Sequence, residues 1–260
     1  MSDFSVFVLP NLALVIGCML VLWLISLPTR NASIVDPFWG TGFVIVTWSS
    51  FLRAGPATTR GAIVLALVTI WGLRLSIYLL VRNLPHGEDS RYTAMRKAYG
   101  PKFRWVSLFT VFLFQGVLLW VLSSPLALAE RDRATPLGVV DFVGIGCWVV
   151  GFAFEAIGDA QLRAFKKDPA SKGKVMDRGL WRFTRHPNYF GEALLGWGYG
   201  LLAFSVPGGP FTLLAPAAMT FLLLKISGVA LLEKTIVERR PGYREYIEKT
   251  SAFVPWPPKR

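Results

Sequence analysis

Arg182, Arg185, His186, Asn188 and Tyr189 crowd into one short run, Gly179–Glu192 (GLWRFTRHPNYFGE), directly ahead of an apolar stretch. Pro187 fixes a turn there, and Gly191 lets another backbone come close. Asn188, Tyr189 and the first amides of the following helix would together face an anion with hydrogen-bond donors. The same cluster could instead cap that helix beside lipid head groups. Upstream, Asp159, Arg163, Lys166 and Lys167 open a strongly basic stretch that continues to Arg185. Bidentate arginines suit phosphate geometry.

Further ionisable groups stand inside apolar runs, where they are costly and point to function. Asp36 opens one run and Arg74 sits in the middle of another. Glu155 and Asp159 lie one helical turn apart on one face, Glu192 follows the motif, and Lys225 and Glu233 lie on the last run. Lys225 alone reads equally well as a side chain reaching back to the interface, whereas short acids reach less far. Two histidines, His86 and His186, without paired acids give no zinc or di-iron pattern. No nucleophile elbow or phosphate-binding loop occurs. The run Gly196–Gly200 (GWGYG) looks like a dinucleotide fingerprint but lies in an apolar span with no strand before it, so it reads as close helix packing.

The elements that must position these groups are membrane helices. Of 260 residues 53% are apolar, more than a soluble surface permits. A crossing helix takes about 20 mainly apolar residues. Such runs occur near Val6–Leu27, Val35–Leu52, Gly61–Val81, Ser107–Ala129, Gly138–Gly158, Phe190–Val206 and Phe211–Leu232. The expected fold is an all-α polytopic membrane bundle of about seven transmembrane helices. Counting from an outside N-terminus, 22 basic residues fall in inner loops and four in outer ones, which places the C-terminus in the cytoplasm. The net charge of +12 is therefore a topology signal, with anionic lipid as partner and no nucleic acid. Cys18 and Cys147 both lie in apolar spans and form no disulfide framework. One membrane domain, 1–260, is expected. Its helices 1–137 form the substrate side and 138–260 the cofactor half. The stretch Pro85–Gly100 reads as a candidate lid.

From about Glu155 onward the chain resembles the C-terminal domain of steroid 5-alpha-reductases and sterol reductases. As a whole it is similar to bacterial members of domain of unknown function 1295. The RHPxY pattern also occurs in isoprenylcysteine carboxyl methyltransferases. Asp159, Arg163 and Lys166 match the acid and spaced basic residues that hold NADPH in the reductases. Asn188 and Glu192 match their asparagine and glutamate, and Arg185, His186 and Tyr189 match the sterol-reductase turn. PGYREY (Pro241–Tyr246) and Phe253-Val254-Pro255 match the closing pattern, and Glu233 an acid shared with the methyltransferases.

The resemblance implies NADPH as cofactor, with phosphates met by Arg163, Lys166, Lys167, Arg182 and Arg185. Asn188, Tyr189, Tyr243 and Tyr246 would then position the nicotinamide half. Steroid reductases polarise the substrate carbonyl with a glutamate and a tyrosine. Here Asp36 falls near the first and Trp71, which has no phenol, near the second, with Arg74 and Tyr78 further along the helix. Asp36, kept protonated by apolar surroundings, and Tyr78 are the candidate catalytic pair. Trp39, Trp71 and Arg74 are the candidate substrate residues for a lipophilic enone. S-adenosylmethionine is the alternative cofactor. Its sulfonium carries no phosphate, and the methyltransferase pattern prefers two adjacent acids where this chain has Glu233-Lys234. A non-enzymatic lipid-binding protein or small transporter is the third reading, though no internal repeat supports transport.

Overall fold

Long apolar runs without strand periodicity fold here as helices, and no strand occurs among the described residues. The structure, a computed structural model, describes residues 2–226, 228–240 and 242–259. The chain divides into two compact units, Met1–Leu137 and Gly138–Arg260.

In the first unit α1 (Ser2–Thr29) leads through Arg30, at φ 48°, into a short turn, Ala32–Ile34, capped by the Asn31 side chain. Then come α2 (Val35–Arg53) and α3 (Thr59–Asn83), the latter capped by the Thr58 hydroxyl on the Gly61 amide at 3.0 Å. Helix α4 (Ser90–Tyr99) starts on an Asp89 cap and ends at Gly100, whose φ of 53° stops it. Helix α5 (Phe103–Ser107) runs through a π-helical turn, Leu108–Leu113, into α6 (Phe114–Leu122), and α7 (Ser124–Arg131) closes the unit. Helices α2 and α3 touch through Gly40 and Gly72. A Cβ on either would run into the other's carbonyl oxygen. Trp23 and Trp105 pack with ring centroids 5.5 Å apart, and the Trp23 indole N–H donates to the Arg104 carbonyl.

The second unit is built on α8 (Val139–Lys167) and α9 (Pro187–Phe204). Their backbones meet at two glycine pairs, Gly144 with Gly198 and Gly151 with Gly191. The glycine-rich run in α9 thus serves helix packing. Beside it the buried Trp148 indole donates to the Tyr199 hydroxyl at 2.8 Å. Helix α10 (Leu214–Phe221), a π-helical turn (Leu222–Ile226), α11 (Val229–Arg239) and α12 (Tyr243–Lys249) complete the unit.

Among the described residues five helices are long and apolar enough to cross a membrane: Val8–Thr29, Thr59–His86, Ser90–Arg131, Val139–Lys167 and Gly209–Ile226. The protein is a multi-pass all-α membrane bundle. The two remaining expected spans, at α2 and α9, do form helices, of 19 and 18 residues. They fall outside the apolar set because α2 carries Asp36 and Arg53 and α9 is dense in glycine and carries Glu192. Both helices bury glycine faces against a neighbour. Pro241 lies outside the described residues, as does the side chain of Lys234.

Candidate functional sites in the two units

Asp36 sits in the first turn of α2, its side chain 13% exposed. Its two oxygens take different partners from α4. The Tyr92 hydroxyl donates to Oδ1 at 2.9 Å, and Arg91 Nη2 donates to Oδ2 at 3.1 Å. Arg91 also donates to Asp89. A guanidinium and a phenol thus both donate to this one carboxyl group. The phenol in turn accepts from Gln115 Nε2 at 3.3 Å, and Gln115 Oε1 accepts from the Trp39 indole at 2.6 Å. Because Trp39 occupies the amide oxygen, the amide nitrogen must face Tyr92, so the donors run Trp39, Gln115, Tyr92, Asp36 in one direction. Gln115 is an uncharged polar residue in a membrane helix, just past the Leu108–Leu113 π turn. Such turns recur at functional sites.

Two docking bonds hold α4 in register with Asp36. Glu88 Oε1 accepts from the Ala32 amide at 2.8 Å while pairing with Arg96, and the Asp89 amide donates to the Ser33 hydroxyl at 2.6 Å. Burial pushes the Glu88 carboxyl up, but the Arg96 guanidinium and the Ala32 amide outweigh it and hold it below the usual carboxylate value. Asp89 follows the same pattern, burial against Arg91 with the net effect downward.

Of the other residues expected on the substrate side, Trp71 is 3% exposed and meets Phe43 edge-on at 5.4 Å. The Tyr78 ring lies beneath Arg74 and Arg82, at 5.3 and 5.9 Å. The phenol at Asp36 is therefore that of Tyr92. Sequence reading passed over Tyr92, Arg91 and Gln115. A lone glutamine within the run Leu108–Leu122 was the available signal, since a buried amide in a membrane helix needs partners.

In the second unit the RHPNY motif forms a clamp. Arg185 is 7% exposed, and each of its guanidinium nitrogens is engaged. Nε and Nη2 donate to the two Glu233 oxygens at 2.7 and 3.2 Å, and Nη1 donates to the Ile247 and Thr250 carbonyls at 3.1 and 2.5 Å. His186 Nε2 lies 3.1 Å from Glu233 Oε1, and its ring stacks on Tyr189 at 5.6 Å. Burial pushes the Glu233 carboxyl up, but His186 and Arg185 outweigh it and bring it to about 2. The Tyr243 phenol is pushed up to about 12 by burial and then by the Glu233 charge. The Tyr246 hydroxyl donates to the Trp181 carbonyl. Residues 183–185 are strapped to the tail by a Thr184–Ser251 bridge, with Arg185 N donating to Ser251 O at 2.8 Å. Arg185, Tyr243 and Tyr246 thus hold the motif, α11 and the tail together.

Other expected cofactor residues lie along α8 and α9. Asp159 is 4% exposed and accepts from Asn188 Nδ2 at 3.3 Å, and Glu155 is likewise buried. Glu192 and Tyr189 are half-buried in α9. Arg163, Lys166 and Lys167 are exposed toward the end of α8, and Arg182 is exposed before the motif. The first turn of α9 has no side-chain cap at His186. Gly158 of α8 sits against Pro187 and the Asn188 amide, placing this uncapped helix start beside Asp159. Among the described residues no group of three His, Cys, Asp or Glu side chains is placed to hold a metal.

Sequence comparison places the chain among proteins of the same kind. An uncharacterized protein of Schizosaccharomyces pombe is 30% identical over 270 residues, covering 90% of this chain and 76% of its own length. Human 3-oxo-5-alpha-steroid 4-dehydrogenase 1 is 33% identical over 69 residues, 26% of this chain and 27% of that enzyme. The Macaca fascicularis enzyme of the same name matches at 33% over the same length. This chain thus spans about a quarter of the two dehydrogenases. No solved structure matches. The family described as "Protein of unknown function (DUF1295)" matches residues 22–250, nearly the whole of both units, and the chain belongs to that family.

Proposed function

We propose that this protein is a membrane reductase that saturates the C=C bond of an enone in a lipophilic, steroid-like molecule, with NADPH as the hydride source. The array Trp39–Gln115–Tyr92–Asp36–Arg91 carries this reading, because it sets an oriented phenol against a carboxyl group among the helices of the first unit. The short likeness to 3-oxo-5-alpha-steroid 4-dehydrogenase, whose name specifies a 3-oxo steroid, supports the substrate class.

As hydride reaches the β-carbon of an enone, negative charge builds on its carbonyl oxygen, and a proton from water then adds to the α-carbon of the enolate to give the saturated ketone. In the proposed reaction the Tyr92 hydroxyl turns from Asp36 Oδ1 to that oxygen. Gln115 holds the phenol in place and Arg91 keeps Asp36 compensated. A preorganised donor in a dry site stabilises such charge far more than water does. Tyr92 therefore takes the donor role expected of Tyr78, and Asp36 that of the orienting acceptor.

NADPH supplies the hydride when bound. Exposed Arg163, Lys166, Lys167 and Arg182 fit its phosphates, and the uncapped start of α9, with Asn188 and Tyr189, offers further donors. Arg185 fits a holding role instead, since its nitrogens are occupied. The substrate side in 1–137, the cofactor half in 138–260 and a cytoplasmic C-terminus are part of this proposal.

Thermal shifts of the detergent-purified protein with NADPH, NADH, S-adenosylmethionine or no addition test the cofactor. Saturation at a hundredfold excess over Kd stabilises by about 2.7 kcal/mol. A shift with NADPH that is lost in the Arg163→Ala/Arg182→Ala double variant supports the proposal. A shift with S-adenosylmethionine alone replaces it with methyl transfer, and no shift with any cofactor favours a lipid-binding protein.

A further inference from the structure

Most exposed apolar side chains of this chain lie on its membrane helices, where lipid covers them. Phe183, Val254 and Trp256 do not. They lie outside the spans yet are 41%, 59% and 70% exposed. Two segments, remote in sequence, bring them together. The Trp256 amide donates to the Phe183 carbonyl at 2.9 Å, and the Thr184 hydroxyl donates to the Phe253 carbonyl at 2.8 Å. The tail is thereby fixed in position rather than trailing.

Its neighbours link it to an apolar helix. The Phe253 ring meets the Phe190 ring, in the first turn of α9, at 6.0 Å. Phe190 in turn meets Phe154, in the apolar part of α8, at 5.1 Å. Phe253 is thereby joined through Phe190 to the apolar part of α8. Trp256 and Phe183 are tied to it through the tail's hydrogen bonds, and exposed basic residues adjoin them in the chain. Arg182 precedes Phe183, and Lys259 is joined by its amide to the carbonyl of exposed Lys249 at 2.9 Å. Glu248 is the acidic neighbour on α12. Apolar, then aromatic, then basic is the order of a bilayer from acyl chains to head groups.

We propose that Phe183, Val254 and Trp256, rimmed by Arg182, Lys249 and Lys259, form a docking surface for the head-group region of an anionic bilayer. The surface stands whether or not the chain is a reductase.

Full-length protein and the Trp256→Phe variant are reconstituted in phosphatidylcholine vesicles with and without phosphatidylglycerol, using lipids brominated near the head group or deep in the chain. The difference in fluorescence between the two proteins isolates Trp256 from the other tryptophans. The expected result is quenching of this component by shallow bromine more than by deep, with little quenching by aqueous iodide. Adding phosphatidylglycerol deepens the effect at least twofold, and Lys259→Glu removes that gain. Iodide quenching without bromine quenching would overturn the proposal by placing Trp256 in water. Quenching by neither would overturn it by showing protein over the residue. Quenching that ignores both phosphatidylglycerol and Lys259→Glu would overturn the anionic selectivity.

Discussion

Replacing Glu233 by glutamine removes one charge from the clamp while keeping its shape. The carboxyl is held at about 2 against an ordinary 4.5, burial being outweighed by His186 and Arg185. At about 1.4 kcal/mol per tenfold change in proton affinity, that displacement corresponds to roughly 3 kcal/mol. The side chain is 20% exposed, and solvent screening brings the figure to about 2 kcal/mol. For a body of this size the thermal midpoint in detergent should fall by roughly 4–8 °C at neutral pH. Because the folded carboxyl is the more acidic, its contribution is complete above 4.5 and fades as pH falls from there toward 2. Wild type should therefore lose stability through that window more steeply than Glu233→Gln. Arg185→Ala should cost more, about 3–5 kcal/mol, since it strands Glu233 and the Ile247 and Thr250 carbonyls. Equal midpoints for wild type and Glu233→Gln at neutral pH, or parallel acid profiles, would refute the clamp. So would an Arg185→Lys variant of unchanged stability that only weakened cofactor binding.

Tyr92→Phe should lower kcat by about 10²–10³-fold while leaving the NADPH thermal shift intact, whereas Tyr78→Phe should retain turnover. Steady-state kinetics of both variants checks this. Gly151→Ala places a Cβ 2.5 Å from the Leu195 amide nitrogen of α9 and should destabilise by about 1–3 kcal/mol, while Gly146→Ala, in open space, should not. Thermal midpoints decide it. Glu88→Gln should speed hydrogen exchange at Ala32 and along α4. The wild-type segment should loosen in the same way as pH falls below the ordinary carboxylate range, because the folded Glu88 carboxyl lies below it.

How far the sequence could be read depended on the range of the interactions involved. Runs such as Thr59–Asn83 announce themselves by length and apolarity, and the Gly196–Gly200 pattern announced close packing, which Gly198 makes against the Gly144 carbonyl of α8. The motif Arg185–Glu192 was visible as a cluster, but its partners were not. Glu233 and the Thr250 carbonyl are remote in sequence, and only folding shows that Arg185 has no nitrogen left for a phosphate. The phenol for Asp36 was sought one helix away at Tyr78, following the resemblance to reductases that carry a tyrosine on the next span. It comes instead from α4, a short polar helix docked by Glu88 and Asp89, where the chain shows no apolar periodicity to guide the eye. Helices α2 and α9 fell between classes, because glycine packing lets a helix be buried with less apolar surface than a lipid-facing one.

Hydride transfer from NADPH to an enone is the proposed reaction. Its most direct test incubates the reconstituted protein with deuterium-labelled NADPH and a 3-oxo-Δ4 steroid, followed by mass spectrometry of the product. Saturated product carrying one deuterium from the cofactor, formed far more slowly by Tyr92→Phe, is the predicted result. An unchanged steroid together with methyl transfer from S-adenosylmethionine, or labelled product formed equally well by Tyr92→Phe, would contradict it.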